Sequence, residues 1–300
     1  MDNGTRVQVV AHRESYYGSV KVVDYSYRDK HTRELIIDGG INSGIDMTNG
    51  QSIFPYYYVL GHYPMAINPG GENCLVLGLG AGTIPGIFQS YGVTTDVLDI
   101  DPVIFDVAKE YFNFSNNGDS YVQDARYFLI STPKKYDYVV LDVFSGESMP
   151  AHLLSLEAYD LISSKLNKNG VMAFNMSGSV GDRSFMTVSI IKTLQQVFDQ
   201  VDIYPVFDPK GELQMGNISV LAYNGPARGI NSNIFAGIPN HPFVEDTLNN
   251  LHLWKWQVPD DRQGIILRDN YIPLDFYNAW IREAIRKEIV RSTDWEVLSF

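Results

Sequence analysis

Cys74-Leu75-Val76-Leu77-Gly78-Leu79-Gly80-Ala81-Gly82-Thr83 is the stretch on which the fold turns. Four apolar residues run into three alternate glycines, and a helix-compatible segment follows over residues 84–91. A short apolar run bounded by glycine reads as a strand buried on both faces. Glycines at its end permit a tight turn and close approach of the backbone to a ligand. The helix beyond offers free N–H groups and the positive end of its dipole. The spacing is Gly-x-Gly-x-Gly rather than Gly-x-Gly-x-x-Gly, so the loop taken alone also fits a simple tight turn.

Downstream of this loop, strand and helix patterns alternate. Strands are expected at 95–100, 136–142 and 171–175, with a short extended segment at 121–124. Helices are expected at 102–112, 125–131, 156–166 and 185–198. Such alternation predicts an α/β fold with a mostly parallel, doubly wound sheet. Right-handed crossovers then bring the C-terminal strand ends to one edge, where ligands bind. Two further segments, 202–206 and 217–222, read as a closing antiparallel pair. Upstream, a helix at 54–63 is expected to stop before Pro64. Segments 7–10, 19–24 and 34–38 read as a small antiparallel sheet, with 25–33 as a connection and Asp38-Gly39-Gly40 as a chain break. Residues 226–300 mix loops, Trp254 and Trp256 with a final helix at 275–290. The expected division is a β domain at 1–50, a cofactor-binding catalytic domain at 51–225 and an extension at 226–300 that packs on it.

Composition narrows the function. The formal net charge is −12, which disfavours nucleic acid as a partner, since phosphates are repelled; it either suits a cationic small molecule or serves only solubility. The single cysteine, Cys74, lies inside the apolar run and reads as a buried structural thiol. Histidines 12, 31, 62, 152, 241 and 252 form no close ligand pair, so no metal is expected. Ser145 and Ser148, with His152 nearby, do not have the form of a nucleophile elbow. No apolar run approaches the roughly 20 residues needed to span a bilayer, and no secretory leader is visible at residues 1–5. A soluble domain in the cytoplasm is the expectation, and one tethered to a membrane region outside this chain is compatible with it.

Three aspartates fall where the predicted sheet would deliver them to one edge. Asp99 ends the strand after the glycine loop, about 20 residues on, where a carboxylate can accept both ribose hydroxyls of an adenosine group. Helix capping is the competing role, and Asp101, directly before Pro102, suits it better. Asp124 precedes a helix and either accepts from an adenine amino group or caps that helix. Asp142 ends an apolar strand, where an ionised carboxyl is costly to bury unless paired or used. It either orients and deprotonates an attacking amine or caps a turn.

Several linked motifs now share one order and spacing. They are Glu14-Ser15-x-Tyr17-Gly18, Leu35-Ile36-Ile37-Asp38-Gly39, Tyr56, Leu98-Asp99-Ile100-Asp101-Pro102, the run from Tyr136 to Asp142, Ser145 to Pro150, Leu153-Leu154 and Glu157-Ala158-Tyr159. Together, over about residues 7–222, they resemble the spermidine synthase (polyamine aminopropyltransferase) family. Asp269-Asn270-Tyr271-Ile272-Pro273-Leu274-Asp275 is similar to the tail of spermidine synthase-like domains, some of them fused to membrane segments. The resemblance implies a Rossmann-like methyltransferase fold behind a small N-terminal β domain. It also implies transfer of an aminopropyl group from decarboxylated S-adenosylmethionine to an amine, releasing methylthioadenosine. By position, Gly78, Gly80, Ala81, Gly82, Asp99, Ile100, Asp124 and Ala125 would hold the cofactor. Asp142 would activate the amine and Tyr56 would place its nitrogen. Tyr57, Ser145 and Glu147 would meet the substrate. Family members often form dimers or tetramers through the β region, so a homodimer is expected.

The departures from the family pattern concern the amine half of the site. Ala81 stands where the family carries an acidic residue, Ser145 where it carries a second aspartate, and Tyr57 where it carries a glutamine. Two close charges at an effective dielectric of about 20 interact by roughly 4 kcal/mol, so losing these carboxylates could switch the preference from decarboxylated to intact S-adenosylmethionine. Glu147, Asp182 and Asp208 are candidate replacement anchors. The competing readings are methyl transfer or another sulfonium cleavage with the intact cofactor, and a nucleotide-binding domain without catalysis.

Overall fold

The computed structural model describes residues 4–144, 149–212, 214–231 and 233–292. Its catalytic sheet grows from the quoted stretch. Strand β5 (Asn73–Leu77) is central, and its residues alternate between two apolar layers. Leu75 and Leu77 join one layer with Val139 and Leu141 of β8 (Tyr136–Leu141). Cys74 and Val76 join the other with Tyr138 and Val140. All eight side chains are buried. Burial on both faces is why the run is apolar without a polar alternate, and each such Leu or Val contributes about 1.5–3 kcal/mol.

The sheet has seven strands in the order β10-β11-β9-β8-β5-β6-β7. Here β6 is Thr94–Asp99, β7 Ser120–Val122, β9 Leu166–Ser179, β10 Gln200–Pro205 and β11 Met215–Tyr223. Strands β9, β8, β5, β6 and β7 are parallel, and β11 lies antiparallel between β9 and β10. The chain leaves β5 for β6 on one side and later returns to β8 on the other. A crevice therefore opens between the loops after β5 and β8. Helices α2 (Thr83–Ser90), α3 (Pro102–Tyr111), α4 (Ala125–Ser131), α5 (Leu156–Ser164) and α6 (Phe185–Leu194) connect the strands.

A separate four-stranded antiparallel sheet precedes this one: β1 (Arg6–Ser15), β2 (Gly18–Tyr27), β3 (Lys30–Ile37) and β4 (Gly40–Asp46). Strand β4 is a departure from the expected chain break. Asp38 and Gly39 both take positive φ, at 50° and 81°, so they form a two-residue hairpin turn and the chain pairs straight back on β3. The expected connection at 25–33 likewise shrinks, since β2 and β3 pair as far as Tyr27 and Lys30.

Other boundaries moved for identifiable reasons. Helix α1 (Pro55–Ile67) continues through Pro64, because Tyr63 and Ile67 are buried and tertiary packing holds the last turn despite the missing N–H. Strand β9 is far longer than residues 171–175, since antiparallel pairing with β11 extends it to Ser179. The tail contains α7 (Pro242–Trp254), which had no counterpart in the sequence reading. Val244, Leu248 and Leu251 of α7 are buried against the layer containing α1. The final helix is split into α8 (Leu274–Tyr277) and α9 (Ala279–Ser292). Trp256 extends the sheet edge, donating its N–H to the Ile203 carbonyl at 2.9 Å. No helix of the described residues is long and apolar enough to cross a membrane.

Candidate active site

The glycine loop leaves β5 with Gly78, Gly80 and Gly82 at φ values of 92°, 53° and 82°. Side chains with a Cβ rarely adopt these angles. At Gly78 the reason is also steric: a Cβ there would fall 2.1 Å from the Asp142 carbonyl oxygen. The loop is thus pressed against the end of β8, and the backbone N–H of Gly78 reaches the Leu98 carbonyl of β6 at 2.8 Å.

A cleft of about 240 Å³ opens at these strand ends. Gly78, Gly80, Asp99, Ile100, Asp124, Ala125 and Asp142, all expected at the site from sequence, line it together. Asp99 accepts the Leu79 N–H on Oδ2 and the Asp101 N–H on Oδ1, both at 2.9 Å. Each oxygen keeps a lone pair, and two lone pairs are what a vicinal diol requires. Burial raises the Asp99 pKa, while the N–H bonds oppose the shift. Helix capping at this point belongs to Asp101, whose Oδ1 accepts the Val103 N–H at 2.9 Å.

Asp124 does cap α4, accepting the Tyr127 N–H on Oδ1 at 2.9 Å. Its Oδ2 lies 3.2 Å from His152 Nε2. Capping occupies Oδ1, while Asp124 also lines the cleft.

Asp142 follows β8 directly, and its Oδ1 accepts from Asn175 Nδ2 at 2.9 Å. Burial pushes the carboxyl up to about 6, with the Asn175 bond opposing. A carboxyl with that pKa is ionised at neutral pH and is a stronger base than an ordinary aspartate.

Tyr56, Tyr57, Ala81 and Gly82 do not form part of the cleft wall. The two tyrosine rings stack at 4.2 Å in the first turn of α1, behind the loop, with Tyr56 5% and Tyr57 2% exposed. Both hydroxyls donate to the Asn42 carbonyl, at 3.2 and 3.3 Å, and Tyr57 shares a 2.6 Å bond with Ser43 Oγ. Tyr57 thus buttresses the loop. Burial first, then neighbouring groups including Asp142, raise both phenol pKa values, so the rings are neutral. Ala81 packs with Leu79 against the N-terminal sheet, and its N–H donates to Ser43 Oγ at 3.2 Å. The space beside Gly82 is taken by Phe114, 2.5 Å from where a Cβ would stand.

Ser145 and Glu147 lie outside the described residues. Asp182 is exposed and paired with Arg262 at 3.1 Å, and Asp208 is exposed in a turn where it accepts the Lys210 N–H. Neither lines the cleft. Residues to which the sequence assigned no site role are Tyr17, quoted only within a motif, His152, set aside as a hydrolase partner, Asn42, and Asn175 behind Asp142. The alternation Ile41, Ser43, Ile45 was the available signal for the strand that carries Asn42. No group of three or more His, Cys, Asp or Glu among the described residues could hold a metal ion.

Among curated proteins, the chain is 37% identical over 133 residues to an N-terminal histidine N-methyltransferase of Emericella nidulans, covering 43% of this chain and 24% of that protein. It is 33% identical over 118 residues to a polyamine aminopropyltransferase of Vibrio vulnificus, covering 37% of this chain and 40% of that protein. The chain thus spans less than half the length of either relative. Among solved structures, a probable spermidine synthase from Corynebacterium glutamicum superposes with a TM-score of 0.65 at 20% identity, covering 85% of this chain and 99% of that one. Spermidine synthase from Thermotoga maritima does so with a TM-score of 0.58 at 17% identity, covering 80% and 87%. These two likenesses concern the fold. The family description "Spermine/spermidine synthase domain" matches residues 53–223, more than half of the sequence and the whole span from α1 to the last sheet strand, so the chain belongs to that family.

Proposed function

We propose that this protein is a spermidine synthase-like transferase that moves an aminopropyl group from decarboxylated S-adenosylmethionine to an amine, with Asp142 orienting and deprotonating the acceptor. The observation that carries this reading is the convergence of Asp99, Asp124 and Asp142 on one cleft beside the glycine loop, in a chain of this family. Asp99 would hold the ribose and Asp124 the adenine amino group, leaving the sulfonium end toward Asp142. The amine nitrogen would then attack the carbon bonded to sulfur, in line with the breaking bond. The C–N bond forms, the C–S pair passes to sulfur, and a neutral thioether leaves as methylthioadenosine. The proton shed by nitrogen goes to Asp142. Because a sulfonium charge is consumed, positioning and proton removal are what the protein contributes.

A second reading is methyl transfer from intact S-adenosylmethionine, and one observation favours it: the relative with 37% identity is a methyltransferase acting on a histidine nitrogen. Both readings share Asp142 as base and a nitrogen as nucleophile. Incubating the protein with each sulfonium compound, with and without putrescine or spermidine, separates them. Methylthioadenosine formed only from the decarboxylated compound and an amine supports aminopropyl transfer. S-adenosylhomocysteine signals methyl transfer and overturns it. Methylthioadenosine from the intact compound without acceptor indicates another cleavage, and binding without turnover indicates a non-catalytic domain; either also overturns it.

A further inference from the structure

One wall of the cleft carries a group that the proposed chemistry leaves unused. His152 stands in the short 3-10 turn Ala151–Leu153 and lines the cleft, with its side chain 52% exposed. Its Nε2 is 3.2 Å from Asp124 Oδ2. The other Asp124 oxygen is taken by the Tyr127 N–H. The oxygen free to turn toward a ligand is therefore the one that His152 contacts.

The backbone of the turn that carries His152 is anchored by α4, and through it by the tail. Arg126 Nη1 donates to the His152 carbonyl at 2.6 Å and to Ser155 Oγ at 3.1 Å. Asp269, in the tail, grips Arg126 through two bonds of 2.7 and 2.6 Å and accepts from Ser155 Oγ at 2.5 Å. A bidentate pair of this kind fixes orientation as well as distance.

We propose that His152 is a positioning residue for the base-binding aspartate, and that its protonation weakens binding of the nucleoside. This rests on reading Asp124 as the adenine contact. A neutral imidazole gives Asp124 Oδ2 one ordinary hydrogen bond and leaves a lone pair for an amino group. An imidazolium forms a charge-assisted bond of roughly twice the strength, draws Oδ2 to itself and neutralises it. The charged groups around His152 come from every neighbouring element. They are Asp124 and Arg126 of α4, Glu157 of α5, Arg268 and Asp269 of the tail, and Asp99, Asp101 and Asp142 across the cleft. Asp269 is paired with Arg126, and Glu157 lies 3.6 Å from Arg268, so Asp124 is the anion in direct contact.

The test is calorimetric titration of methylthioadenosine at pH 5.5 and pH 8.0 into the wild type, His152→Ala, His152→Gln and Asp124→Asn. The wild type is expected to bind about fivefold more weakly at pH 5.5, the largest effect an exposed ion pair ordinarily supports. Measured in an Asp142→Asn background, whose cleft carboxyl no longer changes charge between the two pH values, both His152 variants should lose the pH difference. His152→Gln should keep the wild-type affinity of pH 8.0, since its amide still donates to Asp124. A pH difference that persists in His152→Ala in that background, or none in the wild type, overturns the proposal. Asp124→Asn binding as tightly as wild type at pH 8.0 sinks the adenine reading instead. Failure of the wild type to bind at either pH sinks both.

Discussion

Replacing Asp142 by asparagine should make the protein more stable and inactive at once. The carboxyl stands at about 6 against an ordinary 3.8, and burial is the main cause. A difference of that size corresponds to about 3 kcal/mol once the group is ionised. Asp142 is only partly buried, so solvent screening reduces this to about 1–2 kcal/mol. The sign follows from linkage. The folded state holds the proton more tightly than the unfolded chain, so the penalty is absent below pH 3.8, grows between 3.8 and 6, and is complete above 6. The neighbour adds to it. Asn175 is 1% exposed, its Nδ2 donates to Asp142, and its Oδ1 is buried with no hydrogen-bond partner among the described residues. An asparagine at 142 could donate to that oxygen while still accepting from Nδ2. Urea unfolding at pH 4.5 and 8.0 reads the effect directly. The variant should exceed the wild type by about 1–2 kcal/mol at pH 8.0, by less at pH 4.5, and should still bind methylthioadenosine with no turnover. A variant less stable than wild type at pH 8.0, or one with full activity, would refute Asp142 as a strained base.

Asp99→Ala should weaken methylthioadenosine binding by about 1.5–3 kcal/mol, at least tenfold in Kd by calorimetry, because the charged hydrogen bonds proposed to the ribose would be lost together with the bond to the Leu79 N–H. Gly78→Ala should lower stability by at least about 3 kcal/mol in thermal or urea unfolding, since its Cβ meets backbone at 2.1 Å and φ is 92°. Gly70→Ala is the control, with no atom within 4 Å of the added carbon and an expected change under about 1 kcal/mol. Ser43→Ala should cost about 1–3 kcal/mol in unfolding free energy and weaken nucleoside binding, because it strands the Ala81 N–H in a buried place and leaves the Tyr57 hydroxyl only its bond to the Asn42 carbonyl.

The parts of the site visible in the sequence are those whose chemistry is local. A strand, a glycine turn and a carboxylate at the next strand end are contiguous signals, and Gly78, Asp99 and Asp142 are found where the pattern puts them. Helix α4 begins and ends where expected, because Asp124 caps it and Ala125, Phe128 and Leu129 make one buried face. What escaped depends on contacts between distant residues. The continuation of α1 past Pro64 is decided by buried Tyr63 and Ile67. Strand β4 was hidden by reading Asp38-Gly39-Gly40 as a break, when positive φ at two of these residues makes a hairpin. Asn175 is 33 positions from Asp142, and Asp269 is 143 positions from Arg126, so no spacing rule links either pair.

The contacts behind the glycine loop bear on how the two sheets act as one site. Strand β4 sends Asn42 to the cleft and Ser43 to the Ala81 N–H, while the Asn42 carbonyl collects the hydroxyls of Tyr56 and Tyr57. The loop is thereby held from behind by neutral hydroxyls, in a place where this family commonly puts an acid. A buried carboxylate among Ser43, Tyr57 and Leu79 would carry a large desolvation penalty unless a cation met it. Ala81 carries none, and the loop needs no cationic ligand to be stable. On the proposed function, binding of the adenosine half and recognition of the transferred alkyl group are separable: the first would rest on Asp99 and Asp124, the second on whatever faces Asp142, so the sulfonium compound consumed, rather than nucleoside affinity, is what distinguishes aminopropyl from methyl transfer.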